Sequence, residues 1–200
     1  SISVADTFAI LQTSRMAGLM ALEVQVIVLL AVMVLQLLAV YAALQRVNAS
    51  YALIALVFGL MGVVLWLTAR PVVEMAHLSD QYTAATTDVA RRQYLAAGEA
   101  FYALFDGTAW MVSQFFIGIS GMISSLLMVR SRAFSKATAY TGIGLSIIGF
   151  GFWIPVIGVV LSLLGTMGGV VWYSLMARDF FRLAWRRQGQ ITSSAERTDS

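Results

Sequence analysis

The stretch "KATAYTGIGLSIIGFGFWIPVIGVVLSLLGTMGGVVWYSLMAR", residues 136–178, decides the fold. Between Lys136 and Arg178 lie 41 residues without one charged side chain. As a single helix they would run roughly 60 Å, about twice the hydrocarbon thickness of a bilayer. The segment must therefore fold back on itself, and the place to divide it is "GFGFWIP", Gly149 to Pro155. There glycines and a proline suit a turn, and Phe150, Phe152 and Trp153 suit a membrane interface.

Working outward, the same apolar character recurs along the chain. Of the 200 residues 60% are hydrophobic and 12% charged, and the mean hydropathy is +0.82. This composition is far from that of a water-soluble domain and predicts an all-α integral membrane protein. Helices are the open-chain form that satisfies its own backbone in lipid, and five apolar runs suit that role. They are expected at about 16–45, 51–70, 107–129, 135–152 and 156–177, making a bundle of five transmembrane helices. The fourth is the shortest and requires Lys136 to snorkel. The link "QRVNAS" between the first two is so short that they form an antiparallel hairpin.

Alternating five spans sorts the charges. Arg46, Arg130, Arg132, Lys136, Arg178, Arg182, Arg186 and Arg187 fall on one side. The other receives Arg15, Arg70, Arg91 and Arg92, diluted by Glu74, Asp80, Asp88, Glu99 and Asp106. The positive-inside rule places the first side in the cytoplasm. The expected protein sits in the cytoplasmic (inner) membrane with the N-terminal segment 1–14 outside, a helical cap over 71–106 outside, and a disordered cytoplasmic tail at 188–200. The segment "SISVADTFAILQTS" is not a signal peptide, so a removed signal or an earlier span is expected ahead of it.

Small residues at helical spacing predict how the helices meet, because close contact and hydrogen bonds drive association in lipid. Gly158, Ser162, Gly165 and Gly169 share a face of the fifth run, with Gly165 and Gly169 forming a GxxxG. Gln114, Gly118, Gly121 and Ser125 do so in the third, and Gly142, Ser146 and Gly149 in the fourth. Packing within the monomer is the plain reading, a dimer seam the alternative. The glycines of "TGIGLSIIGFG" have the wrong spacing and setting for a nucleotide-binding turn.

The candidates for chemistry are few. There is no cysteine and one histidine, so thiolate chemistry is excluded and a metal centre has little to work with. Intramembrane polar residues are costly and often functional. Glu23, Gln25, Gln36 and Gln114 are the candidate ligand-binding residues; Gln25 and Gln36, eleven apart, share a face expected to meet other helices, whether as interhelical hydrogen bonds or as the lining of a pocket. Glu74 and His77 have the Glu-x-x-His spacing of carboxylate-bridged metal sites but lack a second such pair, which makes them weak metal candidates beside the reading of an interfacial cap. The stretch from Thr87 to Phe105 reads as a helix capped by Thr87 or Asp88 and running on into the third span at "FDGTAW". Arg91 and Arg92 are expected on a solvated face, with contact to lipid phosphates or pairing with Glu99 as the alternatives. No serine sits beside a base and no buried carboxylate pair is evident, so no catalytic residue is assigned. The basic residues lie at the ends of apolar runs, which argues against nucleic acid.

The stretch "VEMAHLSDQYTAATTDVARRQYLAAGEAFYALFDGTAW", residues 73–110, resembles "FEMxxLSNQYAAATTxxxRxxLLAAGEAxxAxxxGTAF", a string found in an uncharacterised family of bacterial multi-pass membrane proteins, the domain of unknown function 4386 type. The likeness continues through "MVRSRAFSKATAYTGI" into the last two apolar runs. It implies a compact helical membrane protein, often with one more N-terminal span, and carries no known activity, cofactor or catalytic residue. His77 departs from the apolar or small polar residue of the family string. The combined expectation is a non-enzymatic membrane protein that binds a lipid or small apolar ligand or serves as a membrane-complex subunit, its partners being membrane lipids, further copies of itself or other subunits. The alternative is a small transporter or channel-like protein acting as an oligomer.

Overall fold

A computed structural model describes residues 4, 7, 8, 12, 24–151 and 158–198. Among them the secondary structure is helical, with no strand. The elements are α1 (Gln25–Leu44), α2 (Ala49–Thr68), α3 (Val72–Ala84), α4 (Asp88–Tyr102), a 3-10 turn (Ala103–Asp106), α5 (Thr108–Arg130), α6 (Lys136–Gly151) and α7 (Gly158–Thr198). Three helical stretches, Gln25–Leu44, Ala49–Ala84 and Asp88–Arg130, are long and apolar enough to cross a membrane. Their surfaces carry what a soluble protein would hide: Ile27, Val28, Val32 and Leu35 of α1 and Leu53, Val57 and Val64 of α2 are all exposed.

The helix ends follow local chemistry. Asn48 Oδ1 accepts from the Tyr51 N–H at 3.1 Å and opens α2. That helix stops ahead of Pro71, which disfavours helical geometry in the residue before it. Thr87, not Asp88, caps α4, its hydroxyl accepting from the Ala90 N–H at 3.2 Å. The expected continuous run into "FDGTAW" is corrected: the 3-10 turn and an extended Gly107 (φ −79°, ψ −173°) separate α4 from α5. At the other end of the chain α7 runs on through 188–198, where a disordered tail was expected. That segment holds one glycine, no proline and several good helix formers, so nothing in it stops a helix already started. The turn predicted at Gly149–Pro155 falls largely on residues outside those described.

The chain divides into two compact units, Ser1–Leu37 with Leu60–Phe116, and Leu38–Gly59 with Ile117–Ser200. In the first, Val4, Phe8, Met75 and Ala76 are buried together, with Leu78, Tyr82, Leu95, Phe101, Tyr102 and Phe105 packed around them. Gly98 of α4 makes room for this contact, since a Cβ there would stand 2.8 Å from Val4 and 2.9 Å from Phe8. Ser79 of α3 donates to the Phe8 carbonyl (3.2 Å), and Gln12 Nε2 donates to Thr83 Oγ1 (2.6 Å). Val4, Phe8 and Gln12 are thus held on α3 and α4 by both apolar and polar contacts.

In the second unit the small-residue stripes of α5 and α6 meet in antiparallel register. A Cβ on Gly118 would touch the Phe150 ring at 3.4 Å, one on Gly121 would stand 3.1 Å from Ser146 Oγ, and one on Gly142 would collide with Ser125 Oγ. On α7 the close approach falls at Gly168, against Leu145, while Gly169 of the expected GxxxG has nothing within 4 Å. The helix turns by about 100° per residue, so a shift of one position selects a different face. Ser120 Oγ donates to the Ala55 carbonyl of α2 at 2.6 Å, a buried interhelical hydrogen bond. Val40, Leu44, Ala52, Leu127, Met128, Phe134, Ala139 and Met176 form the buried core at one end.

Candidate functional site

Three residues beyond Met176 lies Asp179, 3% exposed. Its neighbours are set by the loop between α5 and α6. Ser131 Oγ accepts from the Ala133 N–H at 2.9 Å and tightens the loop; Ser135 Oγ accepts from the Thr138 N–H at 3.2 Å and opens α6. The Ser135 N–H donates to Asp179 Oδ2 at 2.8 Å, and the Thr138 hydroxyl donates to the same oxygen at 2.6 Å. Because the one Thr138 proton goes to Asp179, the 2.8 Å contact between Ser135 Oγ and Thr138 Oγ1 has Ser135 as donor. Arg178 Nη2 donates to Asp179 Oδ1 at 3.3 Å and to Ser135 Oγ at 3.0 Å. Trp172 Nε1 donates to the Thr138 carbonyl at 3.1 Å.

The electrostatics follow. Burial pushes the Asp179 carboxyl up, but the hydrogen bonds from Thr138 and Ser135 and the Arg178 charge outweigh it, and the group is held below its ordinary value. The carboxylate is therefore ionised at neutral pH and serves as a built-in anion at the α6 N-terminus, where free N–H groups and the helix dipole favour negative charge. Beside it opens a cleft of about 150 Å³ lined by Arg132, Ala133, Phe134, Ser135, Asp179, Arg182 and Leu183. The arrangement can bind and orient; the Thr138 hydroxyl that meets the carboxylate is fully buried.

The residues singled out from sequence do not gather there. Glu23 lies outside the described residues. Gln25 is exposed on α1, where it was expected to face other helices. Gln36 is half-buried. Gln114 is also half-buried and donates to its neighbour Ser113 Oγ at 3.3 Å. Among the described residues no hydrogen bond joins these glutamines to one another. Glu74 and His77 are both exposed on α3, and among the described residues no group of three or more His, Cys, Asp and Glu could hold a metal. Arg91 Nε donates to the Ala85 carbonyl at 3.2 Å, beyond the end of α3, rather than pairing with Glu99.

Sequence reasoning missed Asp179. The available signal was position: it is the sole acid between Asp106 and Glu196, set among arginines at the end of an apolar run. An acid in that place runs against the positive flank and needs a partner.

Fold and site together describe an all-helical protein with three helices of membrane-crossing length and apolarity and a polar clamp joining α6 to α7. The family model described as Domain of unknown function (DUF4386) matches residues 2–184, and the chain belongs to that family. No curated protein and no solved structure matches it.

Proposed function

We propose that the protein is a non-enzymatic, multi-pass protein of the bacterial inner membrane that binds a lipid or small apolar ligand, with five spans, α3 and α4 as an outer cap and the C-terminus in the cytoplasm. The observation that carries this reading is the charge division between the two compact units. The unit containing α3 and α4 has four basic and seven acidic residues; the unit containing α6 and α7 has nine basic and three acidic ones. That asymmetry matches the positive-inside rule. The exposed apolar sides of α1 and α2 supply the surface that lipid covers, and the Asp179 cleft supplies a small cavity with an apolar wall.

Because the chain has no cysteine, single cysteines report topology cleanly. A membrane-impermeant maleimide is expected to label Glu99→Cys in intact spheroplasts and Lys136→Cys only after permeabilisation. Labelling of both without permeabilisation, or the reverse order, would overturn the orientation. Native mass spectrometry of protein released in gentle detergent addresses the ligand: a stoichiometric bound lipid or apolar molecule supports binding, and a bare protein moves the assignment to a subunit role.

A further inference from the structure

The charges around the Asp179 cleft do not cancel. Both oxygens of Asp179 are occupied by Ser135, Thr138 and Arg178. Arg132 and Arg182 line the same cleft, both are exposed, and among the described residues neither has a hydrogen bond or ion pair. Two unneutralised guanidiniums sharing a cleft form a receptor for an oxyanion, since their planar forks match phosphate in a two-point fashion. Ala133, Phe134 and Leu183 give the opposite character, an apolar wall beside the cationic rim.

We propose that this cleft is a subsite for a phosphate-bearing anion held by Arg132 and Arg182, and that the anion is the headgroup of an acidic lipid. Its volume of about 150 Å³ suits a phosphate group, whereas sites for whole drug-sized ligands begin at about 300 Å³. The apolar wall favours an amphiphile over an inorganic ion. Location agrees: Arg132 lies just past the end of α5 at Arg130, and Arg182 lies past the apolar part of α7, where a cytoplasmic leaflet would present acidic headgroups. This ligand class rests on the membrane orientation proposed above.

The test is native mass spectrometry of the full chain in an uncharged detergent. It is titrated with short-chain phosphatidylglycerol, with short-chain phosphatidylcholine as the zwitterionic control and inorganic phosphate as competitor. The wild type is expected to retain one acidic lipid. The Arg132→Gln/Arg182→Gln double variant should lose at least about tenfold in affinity, a difference that exceeds non-specific adduct formation. The Arg46→Gln variant, which removes a charge elsewhere in the same unit, should not. Both altered arginines are exposed and have no partner among the described residues, so the double variant should unfold at the wild-type temperature. Displacement by equimolar inorganic phosphate would assign the site to free phosphate and overturn the lipid source. Equal lipid retention by wild type and the double variant would overturn the subsite while leaving lipid binding intact. Retention of neither lipid nor phosphate by the folded wild type would overturn both.

Discussion

Removing the Asp179 carboxylate should unlock the start of α6. In Asp179→Ala the Ser135 N–H and the Thr138 hydroxyl lose acceptors at 2.8 and 2.6 Å, in a place where Asp179 itself is 3% exposed. Hydrogen bonds to a charged group contribute about 1.5–3 kcal/mol each. The Arg178 pair adds little, about 0–1 kcal/mol, because that guanidinium is 43% exposed and screened by solvent. Some of the loss is recovered when water reaches the freed N–H of half-buried Ser135, so the net cost is about 3–5 kcal/mol. For a chain of this size that corresponds to a fall in unfolding temperature of about 6–20 °C. Asp179→Asn keeps one oxygen able to accept from both donors and should lose about half as much. The assay is thermal unfolding in detergent followed by Trp fluorescence, apt because Trp172 is tied to the Thr138 carbonyl. An Asp179→Ala protein unfolding within about 2 °C of wild type would refute the clamp.

Further outcomes follow from the same contacts. The folded Asp179 carboxyl sits below its ordinary value, so its contribution is complete above the ordinary carboxylate range and disappears as pH falls through the lowered value; an acid titration of unfolding temperature should show this loss in wild type and not in Asp179→Asn. Gly142→Ala, whose Cβ would meet Ser125 Oγ and stand 2.7 Å from Trp172 Nε1, should cost about 1–3 kcal/mol in thermal unfolding, whereas Gly144→Ala, with nothing within 4 Å, should be neutral or up to about 1 kcal/mol stabilising. Gly98→Leu should displace Val4 and Phe8 and raise hydrogen exchange at Val4, Phe8 and Gln12 without unfolding α5. His77→Ala, on an exposed position of α3, should leave unfolding temperature and metal content unchanged within error.

Much of the helix pattern was legible because its punctuation is local. Arg70 and Pro71 end α2, Asn48 opens it, and Thr87 opens α4, each through an effect reaching no further than one turn. The stripes of α5 and α6 were legible for a similar reason: small residues four apart stand out in a sequence of Leu, Val and Ile. The α7 stripe was right at Gly165, which faces Ile148 of α6, and wrong at its end, because Gly168 and Gly169 adjoin and sequence spacing alone gives no reason to prefer either. The α4–α5 break was not legible, as a 3-10 turn and one extended glycine leave almost the composition of a continuous helix. The site was harder still. Asp179 gains its meaning from Ser135 and Thr138, more than forty residues earlier, and the attention drawn by glutamines in an apolar run led to side chains that face outward or bond to a neighbour.

The clamp also bears on the order in which the chain is made. The Ser135 N–H at the start of α6 donates to a carboxylate 44 positions downstream. A ribosome that has just finished α6 has therefore produced a helix whose Ser135 cap is present but whose acceptor for the Ser135 N–H and the Thr138 hydroxyl is not. Only after residue 179 emerges does the acceptor exist, and with it the Trp172 and Gly168 contacts that hold the two helices side by side. α6 and α7 thus form a pair that becomes stable together and not in sequence.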